Sequence, residues 1–253
     1  MSSTEEATVA NDYSLMKVIG KGAFSVVYLA QKHDVYYSVK VAYTKNKWKI
    51  SEQEYQILSQ ITNANITRCI HLHEIIKDDN DNIALVLTYA KGEPLSKYIR
   101  KLSNAEILRL GYELLEVLKE IHSVGIAHLD IKLANIIYEP TSGVTLIDFG
   151  LAVDTASNYR GTPRYISQEM YNAFLANDLI ELPILMTSDY FALGVTLYIL
   201  AIDKYPHKAV KNVKPKPSVD YKSYTPISTG DEQLDDLINT LITQPDTFFE
   251  NEK

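Results

Sequence analysis

The chain has 253 residues, of which 46% are hydrophobic and 23% are charged, and its formal net charge is -7 at pH 7. These proportions are close to globular averages and predict a packed core rather than disorder. The negative charge argues against a large nucleic-acid-binding surface. The single cysteine, Cys69, excludes an intrachain disulfide and a cysteine-built metal site, and it favours a reducing compartment.

The N-terminus, Met1-Ser2-Ser3-Thr4-Glu5-Glu6, lacks the basic start and the apolar stretch of a signal peptide. We expect residues 1–11 to be a flexible tail and residues 12–253 to be one domain, because domains usually have roughly 100–200 residues. The most apolar stretch, Phe191–Ile202, is shorter than the roughly 20 residues that span a bilayer. We therefore expect no membrane span and a cytoplasmic location.

The first part of the chain predicts a small antiparallel sheet with one helix. β-branched and aromatic residues crowd three short segments between Leu15 and Tyr43, which is typical of strands, and two more strands follow the helix. The spacing of apolar residues changes to that of a helix between Ile50 and Ile61. The predicted strands are Leu15–Ile19, Phe24–Ala30, Val35–Tyr43, Cys69–Lys77 and Ile83–Tyr89.

Beyond Ala90-Lys91-Gly92 the pattern is mostly helical. The segment Asn104–Ser123 has the strongest helical periodicity of the chain. Ser103 and Glu106 stand at the spacing of a capping box, which predicts that this helix begins at Asn104. Shorter helices are predicted at Leu95–Lys101 and Leu234–Leu241.

The segment Phe191–Ile202 is apolar on nearly all sides, which is typical of a buried central helix. Asp189 is predicted to cap that helix, and residues 204–217 show little regular pattern. The order of elements predicts an α+β fold. Residues 12–89 would form the sheet with its one helix, and residues 90–253 would form a mainly helical part.

Two segments in the middle of the chain carry chemistry: His128-Leu129-Asp130-Ile131-Lys132-Leu133-Ala134-Asn135, and Asp148-Phe149-Gly150. Phosphoryl transfer needs a base or orienting group for the acceptor hydroxyl, and it needs Mg²⁺ held by hard oxygen ligands such as Asp and Asn. Asp130 suits the first role, and Asn135 and Asp148 suit the second.

The residues between these two segments predict a β-hairpin. Ile136–Tyr138 and Val144–Ile147 are short apolar strands on either side of a turn. Such a hairpin would bring Asn135 and Asp148 to the same edge. The sequence therefore predicts a magnesium site built from these two residues.

These residues resemble the catalytic loop H-R-D-x-K-x-x-N and the metal loop D-F-G of the eukaryotic-type protein kinase family. Further segments match in the family's order from Gly20 to Asp189. The segment from Gly20 to Val27 is similar to the glycine-rich loop, Tyr37–Lys40 to the strand with the lysine, and Gly161–Glu169 to the end of the activation segment. The resemblance implies a two-lobed kinase fold over residues 12–253, with ATP and Mg²⁺ as cofactors and a protein as substrate.

The resemblance also implies catalytic roles. Lys40 would contact the α- and β-phosphates and be oriented by Glu54, with Glu52 as the competing carboxylate. Asp130 would be the catalytic base. Lys132 matches the serine/threonine branch of the family, in which this lysine contacts the transferring phosphate. We therefore expect a protein serine/threonine kinase.

The remaining implied contacts concern the nucleotide. Glycine backbone N–H groups would approach the phosphates, apolar side chains would enclose the adenine, and the backbone of residues 88–90 would hydrogen-bond to it. The residues with these implied contacts are Gly20, Gly22, Ser25, Val27, Ser38, Leu87, Thr88, Tyr89, Ala90 and Ile137.

Two departures from the family pattern bear on regulation. Leu129 replaces the arginine that precedes the catalytic aspartate, so the basic pocket for a phosphorylated activation segment would be absent. We therefore expect activity without phosphorylation of that segment. The C-terminal segment has no arginine for an ion pair with Glu169, which leaves Arg160 and Arg164 as candidate replacements.

Two other functions stay open. A kinase-fold pseudoenzyme that serves as a binding module or scaffold is disfavoured because Lys40, Asp130, Asn135 and Asp148 are all present. A small-molecule phosphotransferase shares an H-x-D-x-x-x-x-N loop, but Gly161-Thr162-Pro163 favours a protein kinase. We expect a monomer with a protein substrate, a regulatory or host protein as a further partner and no nucleic acid. The alternative to a cytoplasmic location is secretion into a host cytosol.

Overall fold

The computed structural model describes residues 12–22, 25–42, 48–77, 83–158, 160–210 and 219–250. The chain divides into two compact units. The first unit comprises Met1–Asn65 and Ile70–Ala90, and the second comprises Ile66–Cys69 and Lys91–Lys253. The predicted tail over residues 1–11 lies outside the described residues.

An antiparallel sheet forms most of the first unit. Its strands are β1 (Ser14–Lys21), β2 (Ser25–Lys32), β3 (Val35–Ala42), β4 (Leu72–Lys77) and β5 (Ile83–Thr88). They lie in the order β1-β2-β3-β5-β4, so all five predicted strands are confirmed. The predicted start of the fourth strand is wrong, because Cys69 instead pairs with Leu146 in the second unit. Phe24 and Tyr43, the predicted ends of two strands, lie outside the described residues.

The two faces of this sheet differ in chemistry, because side chains alternate along a strand and directly paired residues share a face. The register pairs Val27 with Lys40 and Ser38 with Leu87, which places these four side chains on one face. The other face contributes to an apolar cluster. Its buried members are Tyr13, Ala30, Val39, Ile76, Ala84 and Val86.

The helix of the first unit, α1, spans Trp48–Asn63 and so extends the predicted helix by two residues at each end. It packs against β4 and β5. Ile57, Leu58 and Ile61 are buried at the spacing of one helical face. Glu54 lies one turn before them and is also buried, which places a carboxylate inside the unit.

The second unit is mainly helical, and its longest helix lies at its centre. The helices are α2 (Asn104–Ser123), α3 (Gln168–Ala176), α4 (Leu182–Ile202), α5 (Glu232–Thr243) and α6 (Asp246–Glu250). Helix α4 packs against each of the other four. The α+β class predicted from the sequence is confirmed by these helices together with the sheet of the first unit.

The predicted start of the central helix is wrong. Helix α4 begins at Leu182, after Glu181 as its N-cap and with Pro183 in the first turn, where a missing N–H costs nothing. Asp189, predicted as the cap, lies inside the helix and is only 1% exposed. The polar residues at positions 187–189 interrupt the apolar run, and for this reason the sequence pattern hides the first two turns.

Helix α4 is also the one helix among the described residues that is long and apolar enough to span a membrane. In this structure 83% of the relevant window is buried inside the protein. A helix that is apolar on all sides is expected at the centre of a helical unit. The helix is therefore explained as a core element, in agreement with the expectation of no membrane span.

The predicted helix α2 is confirmed with its cap. The Ser103 hydroxyl accepts a hydrogen bond from Glu106 N at 3.3 Å, and the Glu106 carboxylate accepts one from Ser103 N at 2.7 Å. These reciprocal bonds satisfy two N–H groups of the chain at this helix end. In contrast, Leu95–Lys101 is wrong as a full helix, because only Leu95–Tyr98 forms one short 3₁₀ turn.

The predicted hairpin is confirmed as part of a small sheet. Strands β6 (Glu93–Pro94), β7 (Ile136–Glu139) and β8 (Gly143–Leu146) lie in that order. A short strand pair, β9 (Lys208–Ala209) and β10 (Val219–Asp220), forms in and after the stretch that showed little pattern. Cys69 is buried beside β8, and burial raises the pKa of its thiol, which makes it a poor nucleophile.

Candidate active site

In the first unit Lys40 and Glu54 form a buried ion pair. Lys40 Nζ lies 2.7 Å from Glu54 Oε1, and the two side chains are 14% and 4% exposed. Glu52, the competing carboxylate, is exposed at the surface of α1. Of the two carboxylates that the sequence left open, the structure pairs Glu54 with the lysine. A buried ammonium needs such a partner, because an unpaired charge is costly to remove from water.

The face of the sheet that presents Lys40 also holds the residues expected around the adenine. Ser38 and Leu87 are each 5% exposed, and Val27 is half-buried. Thr88 N donates to His71 O at 2.9 Å, so a nucleotide would have to use other backbone groups of residues 88–90. Tyr89 and Ala90 follow this strand and are half-buried.

The expected glycine-rich loop includes the end of β1 and the start of β2, and its residues 23 and 24 lie outside the described residues. Gly22 N donates to Ser25 O at 2.9 Å, and Gly20 lies opposite Val27 in the strand pairing. Neither glycine adopts a positive φ. Backbone strain therefore does not explain these glycines, and their predicted role in admitting phosphates close to the backbone stays a prediction.

In the second unit a buried carboxylate holds the backbone of the catalytic loop. His128 N and Leu129 N each donate to Asp189 at 2.8 Å, and His122 Nε2 lies 3.0 Å from the same carboxylate. Leu129 has a φ of 63°, a left-handed conformation that costs a non-glycine residue about 1–3 kcal/mol. The two charge-assisted hydrogen bonds offset that strain. Asp189 thus holds the backbone of this loop and is not the helix cap that the sequence pattern predicts.

The next residue, Asp130, is the centre of a hydrogen-bond cluster. Thr162 Oγ1 donates to Asp130 Oδ1 at 2.5 Å, while Lys132 Nζ and Asn135 Nδ2 donate to Oδ2 at 2.7 and 2.8 Å. Lys132 Nζ also donates to Thr162 at 3.0 Å. Three such donors hold the carboxylate in one orientation. The Thr162 hydroxyl thus contacts both Asp130 and Lys132.

The expected magnesium ligands lie next to the two strands of the hairpin. Ile147 N donates to Asn135 O at 2.9 Å, which places Asn135 beside the residue that precedes Asp148. The Asn135 amide nitrogen donates to the backbone and side-chain oxygens of Asp130, which leaves its Oδ1 as the atom suited to a cation. An amide oxygen together with the exposed carboxylate of Asp148 is a hard donor set that fits Mg²⁺.

His128 contacts both the loop with Asp130 and the segment that leads to Asp148. Its Nδ1 accepts a hydrogen bond from Asp130 N, and its Nε2 lies 3.2 Å from Ile147 O. A carbonyl only accepts, so Nε2 is the donor in this contact. The ring also packs edge-on against Phe149, with 4.7 Å between centroids. His128 thus connects the catalytic loop to the segment with Asp148.

The turn of the hairpin is fixed by one carboxylate. Glu139 accepts hydrogen bonds from Thr141 N at 2.9 Å and Ser142 N at 2.8 Å, as well as from both hydroxyls. These bonds, led by that of the Thr141 side chain, lower the pKa of Glu139 to about 2. The carboxylate is therefore ionised at neutral pH, and its hydrogen bonds keep the turn closed.

Leu129 faces an apolar environment where the family has an arginine. It is 7% exposed and belongs to a buried apolar cluster. The other members are Ala127, Val153, Ile166, Met170, Ile180, Leu185 and Met186. A phosphate group would find no counter-charge among these side chains.

Backbone pairing anchors the segment that follows Asp148. Ala127 and Val153 exchange two hydrogen bonds of 2.8 and 2.9 Å, and Ser157 and Ile180 exchange two of 3.0 Å. The segment is thus attached at two points without a modified side chain. Tyr159 lies outside the described residues.

The end of this segment differs from the sequence expectation. Glu169 lies exposed in the first turn of α3. Arg164, one of its two candidate partners, instead donates from Nη2 to His207 O at 2.7 Å and stacks on the ring of Tyr205. The second unit therefore uses Arg164 for a different attachment.

Comparison with known proteins identifies the family. The family model described as protein kinase domain matches residues 13–245. A Dictyostelium discoideum protein named as a probable myosin light chain kinase is 31% identical, over 75% of this chain and 62% of its own length. The rabbit (Oryctolagus cuniculus) calcium/calmodulin-dependent protein kinase type II subunit delta is 29% identical, over 96% of this chain and 48% of its own length. This chain thus spans less than two thirds of either relative.

A solved structure gives the same fold. The structure of the Cydia pomonella granulovirus kinase PK-1 matches with a TM-score of 0.70, covering 94% of this chain and 89% of that one. The two sequences are 19% identical, so the likeness concerns the fold alone. The kinase-like fold expected from the sequence is confirmed.

The Lys40–Glu54 pair can be tested by stability. We expect Glu54→Gln to lower the free energy of unfolding by about 1–3 kcal/mol, because the Lys40 ammonium would then be buried against a neutral amide. Glu52→Gln is the matched control and should stay within about 0.5 kcal/mol, as is usual at the surface. Urea unfolding monitored by circular dichroism measures both. Equal losses in the two variants would contradict the pairing.

Proposed function

Because this chain belongs to the protein kinase family, we propose that it is a protein serine/threonine kinase that transfers the γ-phosphoryl group of ATP to Ser and Thr hydroxyls. The observation that supports this most is the set of three donors around the Asp130 carboxylate. Phosphoryl transfer depends on positioning and charge stabilisation more than on covalent chemistry, and this cluster supplies both.

The proposed role of Asp130 is to orient the acceptor hydroxyl and take its proton. Hydrogen bonds from Lys132 and Asn135 hold Oδ2, so the direction of the carboxylate is set before an acceptor binds. Thr162 bonds to Oδ1 and marks the side on which an acceptor would approach. The Lys132 ammonium would stabilise negative charge on the transferring group.

The proposed role of Lys40 is to contact the α- and β-phosphates of ATP, held for this purpose by Glu54. Asn135 and Asp148 would hold Mg²⁺, which neutralises phosphate charge when bound. The adenine contacts proposed for Val27, Ser38 and Leu87 fit the shared face of these side chains.

The two alternatives have less support. A small-molecule phosphotransferase does not explain why Thr162 bonds to both Asp130 and Lys132, whereas a protein acceptor beside Thr162 does. A scaffold without catalysis does not explain the ordered Asp130 cluster. Both relatives are named as protein kinases, one of them of myosin light chain. The cytoplasmic location, the monomeric state and the regulatory or host partner remain predictions from the sequence.

An assay with labelled ATP tests the proposal. We expect Mg²⁺-dependent transfer to myelin basic protein or casein, with label on Ser and Thr. Asp130→Ala should lower turnover by about 10²–10⁴-fold, the usual contribution of a general base. Asp236→Ala, which removes an exposed carboxylate from α5, is the matched control and should keep full turnover. Wild-type turnover in folded Asp130→Ala, or ATP binding without any transfer, would contradict the proposal.

We also propose that activity does not depend on phosphorylation of the segment after Asp148. Leu129 lies in an apolar cluster rather than beside a basic pocket. The two backbone pairings at Val153 and Ser157 already attach the segment. A phosphate would therefore add little order.

Treatment with a phosphatase tests this independence. The dephosphorylated enzyme should keep at least about half of its activity, since a two-fold change corresponds to only about 0.4 kcal/mol. A Thr155→Ala, Ser157→Ala double variant should behave in the same way. Loss of activity in a folded enzyme, after phosphatase treatment or in the double variant, would show that a group other than Leu129 binds a phosphate on this segment.

A further inference from the structure

An aromatic surface within the second unit holds the stretch that follows Thr162. We refer to residues 162–167 as the acceptor loop, and to residues 205–210 and 219–224 as the anchor segment. The anchor segment lies between α4 and α5 and contains the strand pair β9 and β10. The acceptor loop and the anchor segment contact each other through a charged residue and through several aromatic rings.

Arg164 makes the main contact. Its guanidinium carbon lies 3.5 Å from the centroid of the Tyr205 ring, a cation–π geometry, and its Nη2 donates to His207 O at 2.7 Å. Its Nε is buried and, among the described residues, has no hydrogen-bond partner. One nitrogen of this guanidinium is buried, another is bonded to a carbonyl, and the planar face lies on a ring. These contacts are all within the protein, so the guanidinium is not available to bind an incoming acidic group.

Tyrosines make the second attachment. The Tyr221 hydroxyl lies 3.0 Å from Ile166 O and 3.2 Å from Ser167 O, and it donates to these carbonyls. The ring of Tyr165 meets the ring of Tyr205 edge-on, with 5.9 Å between centroids. The acceptor loop is therefore fixed at its middle and at its end.

The anchor segment has a packed centre of its own. His207 is 7% exposed, and its ring lies 5.9 Å from Phe191 of α4 and 5.4 Å from both Tyr221 and Tyr224. Burial, and then the charge of Arg164, lower the pKa of His207, while Asp220 acts against them. A neutral imidazole can lie beside the guanidinium without repulsion. The contacts to Phe191 connect the anchor segment to the central helix.

The attachment bears on the catalytic cluster because the acceptor loop begins at Thr162. Tyr165 N donates to Thr162 O at 3.1 Å, which closes a tight turn around Arg164. Movement of Arg164 would therefore move Thr162, whose hydroxyl bonds to Asp130 and Lys132. Glu169, further along, is exposed and does not replace this anchor.

We propose that Arg164 is a positioning residue that fixes the acceptor loop on the anchor segment and thereby holds Thr162 against Asp130. The proposal rests on the proposed kinase function for its catalytic consequence. The attachment itself does not depend on that function. An arginine that binds an acidic substrate would instead expose its guanidinium to solvent, whereas the Arg164 guanidinium contacts Tyr205 and His207.

Replacement of Arg164 tests the proposal. In Arg164→Met we expect kcat/KM for a protein acceptor to fall about ten- to hundred-fold, because a displacement of about 1 Å can cost about 10² in rate. KM for ATP should stay within about two-fold. For Arg164→Lys we expect a kcat/KM for the acceptor between that of the wild type and that of Arg164→Met, because lysine keeps the charge but loses the planar face. Tyr205→Phe keeps the ring beneath the guanidinium and should lose less than Tyr205→Leu.

Arg109→Met is the matched control, since it removes an arginine of the same unit that pairs with Glu113 on α2. It should leave kcat/KM for the acceptor and KM for ATP unchanged. Hydrogen–deuterium exchange gives a readout without catalysis. Exchange in residues 162–167 should accelerate in Arg164→Met and stay unchanged in Arg109→Met.

Three outcomes would overturn the proposal. One is unchanged exchange and unchanged kcat/KM in Arg164→Met. Another is full activity of Arg164→Lys together with unchanged exchange, which would indicate that the charge reads a substrate. The third is full activity of Tyr205→Leu. If Arg164→Met does not fold, the activity of Tyr205→Leu decides between the two interpretations of Arg164. A wild-type protein that transfers no phosphate would contradict the kinase function instead, and the exchange comparison would still decide the role of Arg164.

Discussion

The active geometry of the second unit depends on one buried carboxylate. Asp189 lies inside the central helix, is 1% exposed and accepts hydrogen bonds from the N–H groups of His128 and Leu129. These bonds hold Leu129 in a left-handed conformation that a leucine alone disfavours. Because Asp130 follows Leu129, that conformation sets the direction in which the Asp130 side chain points away from the backbone. A polar group in the core of an apolar helix is thus explained by the backbone that it satisfies.

From Asp130 the order extends outward through hydrogen bonds rather than through apolar packing. Lys132, Asn135 and Thr162 hold the carboxylate, and Asn135 in turn is fixed by the hairpin. Where a phosphorylated residue would need an arginine, Leu129 joins an apolar cluster. The described contacts that attach the segment after Asp148 are hydrophobic packing and backbone pairing. Such ordering is insensitive to salt, in contrast to surface ion pairs.

Much of the fold could be predicted because its signals are local. Runs of β-branched and aromatic residues marked the first three strands of the first unit, and the spacing of Ser103 and Glu106 marked the start of α2. The residues around Asp130 were predicted because their types and order match a known loop. In contrast, the first turns of α4, the role of Asp189 and the contact of Arg164 with Tyr205 were not predicted. These features depend on partners far apart in the chain, and no local periodicity reports them.

The most direct test of this account is the turnover of Asp189→Asn, measured in a variant that still melts cooperatively. His128 N and Leu129 N bond to different oxygens of Asp189, and an asparagine has an NH₂ group, which cannot accept, in place of one of them. We predict that kcat of Asp189→Asn falls at least about 10²-fold, because the loop would change its backbone conformation and no longer orient Asp130. We also predict that KM for ATP changes little. Wild-type kcat in the folded variant would show that the catalytic geometry does not depend on this carboxylate.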